Sequence, residues 1–269
     1  MTLPITVVDA FTDQPFSGNP AGIVVLEEAA PDAWMQAVAA EVNLAETAFL
    51  APRADGEWDL RWFTPTVEVD LCGHATLASA QVLGGEQAFH TRSGVLRCSP
   101  AGEGAIALDL PGTRPTPTDD DLGSWAAALG LATGAVVAVL EGAGWSFVEV
   151  ASVDDVTTAA MHRPALLALG GHAIVVADAT ADDAIGFDSV CRTFAPSAGI
   201  DEDPVTGSAH CLIGPWLAER TGRTSFLGRQ ASARGGTVAM EVAGDRVRLV
   251  GHAVTVWRGE LLAAPPPAC

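Results

Sequence analysis

The chain contains no lysine. That absence excludes the lysine of a Walker-type phosphate loop and any Schiff-base chemistry resting on a lysine amine. Basic residues are scarce altogether: 14, all arginine, stand against 33 Asp and Glu, for a formal charge of −19. No run of arginines exists that could follow a phosphate backbone, so nucleic acid is not expected as a partner. Cys72, Cys98, Cys191, Cys211 and Cys269 make an odd count without C-x-x-C spacing. This supports neither a disulfide framework nor a zinc site, and it fits reduced thiols in a cytoplasmic protein. No apolar run reaches the length of a membrane span, and no basic-then-apolar leader opens the chain, so a soluble, unprocessed protein is expected. No two histidines have ligand spacing on one element, so no metal is expected. Neither G-x-S-x-G nor a helix-opening G-x-G-x-x-G occurs, which argues against a nucleophile-elbow hydrolase and a dinucleotide enzyme.

What the sequence does contain is a repeat. Asp70-Leu71-Cys72-Gly73-His74-Ala75 and Asp203-Pro204-Val205-Thr206-Gly207-Ser208-Ala209 lie about 130 residues apart, each ahead of an apolar run that reads as a helix. Superposed on Gly-x-Ala, the pieces pair Cys72 with Thr206 and His74 with Ser208. Free backbone N–H groups and the positive dipole end at a helix start favour an anion, so Gly73 and Gly207 are candidate amide donors to a carboxylate. A repeat of this kind predicts two related halves facing one cleft. The plainer alternative is that both glycines merely open helices and that His74 and Ser208 are caps.

Around the repeat, strands are expected over Leu3–Phe11, Ala21–Leu26, Thr47–Ala51, Trp58–Phe63, Gln87–Thr91, Gly94–Cys98 and Ala105–Leu110. Helices are expected over Pro31–Val42 and Gly73–Leu83. Later strands are expected over Ala135–Leu140, Trp145–Val150, Ala173–Ala177 and Ser189–Phe194, with a helix over Gly207–Arg220. Thr237–Val242 and Arg246–Val256 read as a hairpin around Gly244-Asp245. Pro111–Thr118, with the acidic run Asp119–Asp121, reads as a linker. The expected division is therefore 1–113 and 119–260, followed by a proline-rich tail, 261–269.

Two carboxylates stand out. Glu46 adjoins a short apolar strand, where withdrawal from water would suit proton exchange near neutral pH, although strand-end carboxylates are commonly just solvated. Asp203 belongs to Asp201-Glu202-Asp203. Crowded like charges there would favour a protonated donor, or the acids simply serve a helix N-terminus. His210 and Cys211 fall inside the following helix and read as packing residues.

Several ordered motifs run through the chain: Asp9-Ala10-Phe11-Thr12, Gly18-Asn19-Pro20-Ala21, Asn43-Leu44-Ala45-Glu46-Thr47-Ala48-Phe49 and Arg61-Trp62-Phe63-Thr64-Pro65. They continue with Glu68-Val69-Asp70-Leu71-Cys72-Gly73-His74-Ala75-Thr76 and the stretch from Gly199 to Cys211. In these the chain resembles the PhzF (phenazine biosynthesis) family, which has the diaminopimelate epimerase fold. The resemblance implies an α+β architecture of two pseudo-symmetric halves, each a curved, mostly antiparallel sheet around a central helix. It also implies a homodimer and no cofactor. Glu46 would be the general acid/base, with His74, Asp203 and Ser208 orienting substrate and Gly73, Gly207, Cys72 and Thr206 lining its carboxylate. The implied type reaction is isomerisation of trans-2,3-dihydro-3-hydroxyanthranilate to a reactive aminoketone.

Epimerases that resemble this fold oppose two cysteines, one per half. Here Cys72 is matched by Thr206, which is no base near neutral pH. A small carboxylic acid is thus the expected partner and an isomerase the expected activity. An amino-acid or hydroxyproline-type epimerase using Cys72, and a non-catalytic acid-binding protein, are the alternatives.

Overall fold

A computed structural model describes residues 2–266. The chain forms two compact units, one built from the residues up to Asp109 together with those from Val250 onward, the other from Leu110–Leu249. The first unit begins with β1 (Leu3–Ala10), β2 (Asn19–Val25), α1 (Asp32–Val42), β3 (Glu46–Pro52), β4 (Trp58–Phe63) and β5 (Glu68–Val69). It continues with α2 (Gly73–Leu83), β6 (Gln87–Thr91), β7 (Gly94–Pro100) and β8 (Ile106–Pro111). The second unit contains β9 (Thr116–Pro117), α3 (Leu122–Ala128), β10 (Val136–Gly142), β11 (Trp145–Val150), α4 (Val153–Thr158) and α5 (Arg163–Ala168). Then come β12 (Ala173–Asp178), β13 (Ser189–Ala195), β14 (Ile200–Asp203), α6 (Gly207–Thr221), β15 (Ser225–Gln230), β16 (Gly236–Ala243) and β17 (Arg246–Gly251). The last strand, β18 (Ala253–Leu261), returns to the first unit and pairs antiparallel with β1, Leu3 opposite Leu261.

Both units use one pairing pattern. In the first, β1–β2 is antiparallel, β2–β3 parallel, β3–β4 antiparallel, β4–β6 parallel and β6–β7 antiparallel, with β5 folded back on β4. In the second, β10–β11, β11–β12, β12–β13, β13–β15 and β15–β16 repeat that order and those directions, with β14 folded back on β13. The α+β class is as expected. Helix α2 packs against β1, β2, β3 and β18, and every residue from Gly73 to Ala80 is buried. Such all-round burial explains a helix built from Ala, Thr, Ser and Leu without an exposed polar face. Helix α6 packs on β15 and β16 and is equally enclosed from Ala209 to Leu217.

The hairpin from β1 to β2 needs Gly18. Its φ is +63°, and a Cβ there would lie 2.2 Å from the Ala10 carbonyl oxygen, so any side chain is blocked twice over. Beneath α1, Trp34, Phe49 and Phe63 stack edge to face, with ring centroids 5.9 and 5.6 Å apart. Trp125, Val148, Val175 and Phe194 centre the second core.

Three sequence expectations change. The Pro111–Asp121 stretch is not a free linker: Gly112 N–H bonds the Asp245 carbonyl, β9 pairs with β10, and Asp121 caps α3 at the Ser124 amide. Thr113 N–H bonds the Cys211 carbonyl at 3.0 Å. Pro215, four residues on in α6, has no N–H to offer that carbonyl, so the supposed linker completes the helix. The predicted strand Arg246–Val256 is broken at His252, whose carbonyl accepts from Thr12 N–H. Gly251 lies so close to the Phe11 ring that a Cβ would be 2.5 Å from it. The division is consequently at 109/110 and 249/250 rather than 113/119, and residues 250–260 leave the second half. Of the expected tail, Leu261 ends β18 and Ala263 accepts a bond from Trp34 Nε1, while 267–269 lie outside the described residues.

Candidate active site

In the first unit, the starts of β2, β3 and α2 bring Asn19, Glu46, Cys72 and His74 together. Glu46 Oε2 lies 3.2 Å from His74 Nε2, with only 12% and 5% of the two side chains exposed. On the other edge of the ring, His74 Nδ1 is 3.1 Å from Asn19 Nδ2 and 3.5 Å from Cys72 Sγ. An amide nitrogen only donates, so Nδ1 accepts and the imidazole proton sits on Nε2, on the ring edge nearer Glu46, although Nε2 and Glu46 Oε2 do not meet in hydrogen-bond geometry. Burial drives the His74 pKa down to about 3, which keeps the ring neutral. The contact is therefore a close approach of a neutral ring to a carboxylate rather than an imidazolium pair.

Donor atoms of Glu46, Cys72 and His74 fall within 4.8 Å of one another. Carboxylate, thiol and imidazole are chemically able to hold a soft divalent ion. Here, though, the carboxylate approaches Nε2 and the thiol Nδ1, so the two do not converge on one ring nitrogen.

In the second unit, the segment from β14 to α6 is folded around Gln230. This residue, fully buried, accepts from the Thr206 amide at 2.8 Å and donates to the Asp203 carbonyl at 2.7 Å. Thr206 Oγ1 in turn donates to Asp203 Oδ2 at 2.5 Å. Ser208, half-buried, sits at the second position of α6. His210 Nδ1 bonds the Thr206 carbonyl at 2.9 Å, and burial lowers its pKa to about 4. The expected crowding of carboxylates is absent: Asp201 pairs with Arg163, Glu202 with Arg192, and Asp203 with Thr206.

The two helix starts match closely. Cys72 and Thr206 are the N-cap residues, both extended, neither using its side chain as a cap, and no acidic residue occupies either first turn. A carboxylate stands near each start, Glu46 beside His74 and Asp203 on Thr206, but neither occupies the first turn, and the Gly73 and Gly207 amides suit an anion. His74 and Ser208 are not caps. Asp70 is not the counterpart of Asp203: Trp62 faces Val69 and Thr193 faces Asp203, which matches Asp203 to Val69, and Asp70 is exposed beside Arg92. By the same registers (Thr47 opposite Phe63, Ala173 opposite Phe194), the counterpart of Glu46 is His172.

Sequence reasoning gave no role to Asn19 or Gln230. Asn19 stood in a stretch read as a turn, and only its zero exposure beside His74 reveals its part. Gln230 lies on β15, a strand the sequence reading passed over.

Comparison with known proteins agrees with this architecture. A model of the phenazine biosynthesis-like protein family (PhzC-PhzF) matches residues 8–259. An uncharacterized isomerase of Halalkalibacterium halodurans is 43% identical, over 97% of this chain and 99% of its own. A crystal structure of a PhzF family protein of Enterococcus faecalis superposes with a TM-score of 0.89 at 37% identity, covering 98% of this chain and 100% of that one. A probable proline racemase of Agrobacterium radiobacter shares the fold at a TM-score of 0.64 and 12% identity, over 98% of this chain and 94% of its own. With its matched motifs, repeated helix starts and full-length relatives, the chain belongs to the PhzC-PhzF family of phenazine biosynthesis-like proteins.

Proposed function

We propose that this protein is a cofactor-independent isomerase that moves a proton within a small cyclic or unsaturated carboxylic acid, with Glu46 as general acid/base. The observation that carries the reading is the Glu46 carboxylate, only 12% exposed, 3.2 Å from the neutral ring of His74 at the start of α2. A carboxylate held this way has a fixed orientation and little water to compete with a carbon acid. Glu46 takes a proton from one ring carbon and returns it to another on the same face. His74 keeps the carboxylate aligned in both states, and the charge left on the substrate is carried by its conjugated system. The Gly73 amide takes the substrate carboxylate, and in the second unit the Gly207 amide, Asp203 and Ser208 form a matching set of polar groups for the same class of ligand.

The repeat supports one base rather than two. Cys72 is matched by Thr206, which is no base near neutral pH, so a two-thiol exchange lacks its second thiol. Isomerisation of trans-2,3-dihydro-3-hydroxyanthranilate is the type reaction we propose, and proton NMR in D₂O tests it. Wild type should convert this compound with deuterium uptake, and Glu46→Gln should not. Conversion that survives in Glu46→Gln removes the assignment.

A second reading is favoured by one distance, the 3.5 Å between Cys72 Sγ and His74 Nδ1. It makes Cys72 the base of an amino-acid or hydroxyproline-type epimerase. Loss of α-proton exchange in Cys72→Ser, with retention in Glu46→Gln, is its signature.

A further inference from the structure

Each unit carries an arginine in the same place. Arg61 on β4 lies over the Phe63 ring, 5.2 Å from its centroid, and grips Glu68 with Nε and Nη2, both at 2.7 Å. Arg192 on β13 lies over Phe194 at 5.0 Å and grips Glu202 with Nε at 2.7 Å and Nη2 at 2.8 Å. Glu68 stands four residues ahead of the N-cap Cys72, and Glu202 four ahead of the N-cap Thr206. The remaining guanidinium nitrogen ties each clamp to a peripheral helix. Arg61 Nη1 meets Asp32 at the start of α1 at 2.6 Å, and Arg192 Nη1 meets the Ala159 carbonyl just past α4 at 2.6 Å.

A bidentate guanidinium–carboxylate pair fixes angle as well as distance, and lysine cannot replace it. Strands β5 and β14 pair with their neighbours over only two to four residues, so few ladder bonds hold them. The clamp therefore adds to what fixes the chain entering α2 and α6, beside Arg92, which also meets Glu68 at 2.6 Å, and Gln230, which holds Asp203 and Thr206. Glu68 and Glu202 sit one turn-length of chain from the Gly73 and Gly207 amides, close enough for a tilt at the carboxylate to reach them.

We propose that Arg61–Glu68 and Arg192–Glu202 are positioning pairs that hold the Gly73 and Gly207 amides in the geometry a substrate carboxylate requires. The assignment rests on the reading of the two helix starts as carboxylate sites. None of the four residues need touch substrate. Their work is done through the backbone, independently in each unit.

The test uses the full ¹⁵N-labelled chain, with Arg61→Lys, Glu68→Gln, Arg192→Lys and the double variant Arg61→Lys/Glu68→Gln. Amide shift and hydrogen exchange are read at Gly73 and Gly207, and anthranilate is the carboxylate probe. Arg61→Lys should move the Gly73 resonance and speed its exchange about tenfold with Gly207 unchanged, and Arg192→Lys should do the reverse. The double variant should be no worse than the poorer single, as coupled partners require. A lowered melting temperature with both glycine amides unmoved would make the clamps mere braces and overturn the proposal. Should Arg61→Lys not fold, Glu68→Asp keeps the charge and draws the carboxylate back by one methylene. If anthranilate fails to bind wild type, the carboxylate reading loses support, while selective movement of the glycine amides still upholds the clamps' hold on them.

Discussion

Acid should unfold this protein earlier than its carboxylates alone would dictate, because two histidines are buried neutral. His74 and His210 have folded pKa values of about 3 and about 4, against 6.5 when exposed. Burial is the cause in both, and the Thr206 carbonyl only partly offsets it for His210. The folded pKa is depressed, so this stability is complete above 6.5 and is lost as pH falls from there toward the folded values, where the unfolded chain binds protons the native state refuses. One such group forfeits about 2 kcal/mol between pH 7 and pH 5, and the pair about 4 kcal/mol. For His74 the neighbouring Glu46 favours the imidazolium, so the pair's loss lies at or below that sum. Against a total of about 5–15 kcal/mol for a typical protein, the loss is a large fraction. The assay is urea unfolding at half-unit steps from pH 7.5 to 5, comparing wild type with His210→Gln, which keeps a side-chain amide near the Thr206 carbonyl. Wild type should lose stability across this window, and the variant should lose about 2 kcal/mol less than wild type over it. Equal slopes for the two proteins, or a wild-type stability that rises on acidification, would refute the reasoning.

Three further outcomes follow from the site and its supports. Asn19→Asp should pull the His74 proton onto Nδ1, so that ¹⁵N shifts of the ring nitrogens exchange their acceptor and donor signatures, and turnover should fall by about a hundredfold or more. Gln230→Leu strips partners from the Thr206 amide and the Asp203 carbonyl, and chemical denaturation should show a loss of about 2–5 kcal/mol. Gly18→Ala puts a Cβ against the Ala10 carbonyl at positive φ; a loss of about 2–4 kcal/mol, read as a drop in melting temperature, is expected.

Much of this fold is written in local patterns. Leu3–Ala10 and Trp58–Phe63 form because β-branched and aromatic residues crowd short runs, and Gly73 and Gly207 stand at the first positions of α2 and α6. Glu46, Cys72 and His74 lie together in the first unit, whereas the bond between Asp203 and Thr206 was not foreseen. What escaped was set by distant contacts. Pro111–Asp121 has linker composition yet is held by β10, Asp245 and α6, which no local signal encodes. The break at His252 depends on Phe11, far away in sequence. Asn19 looked like a turn residue because its neighbours are Gly and Pro, and its role depends on a histidine 55 positions later. The three acids at 201–203 suggested mutual repulsion only because their partners, Arg163, Arg192 and Thr206, come from elsewhere or from beyond the turn.

The pairing of β1 with β18 bears on how the chain is made. Nearly the whole sequence separates Leu3 from its partner Leu261, so β1 leaves the ribosome long before its outer neighbour exists. The stretch 110–249, by contrast, is continuous, and β9 to β16 find their partners within it. Synthesis therefore delivers a unit able to close while the earlier one still waits with one edge of β1 open. Sheet edges left waiting invite pairing with other chains. In this protein the interval of exposure is therefore at least the time taken to translate from β1 to β18, and slowing translation after residue 249 would lengthen it.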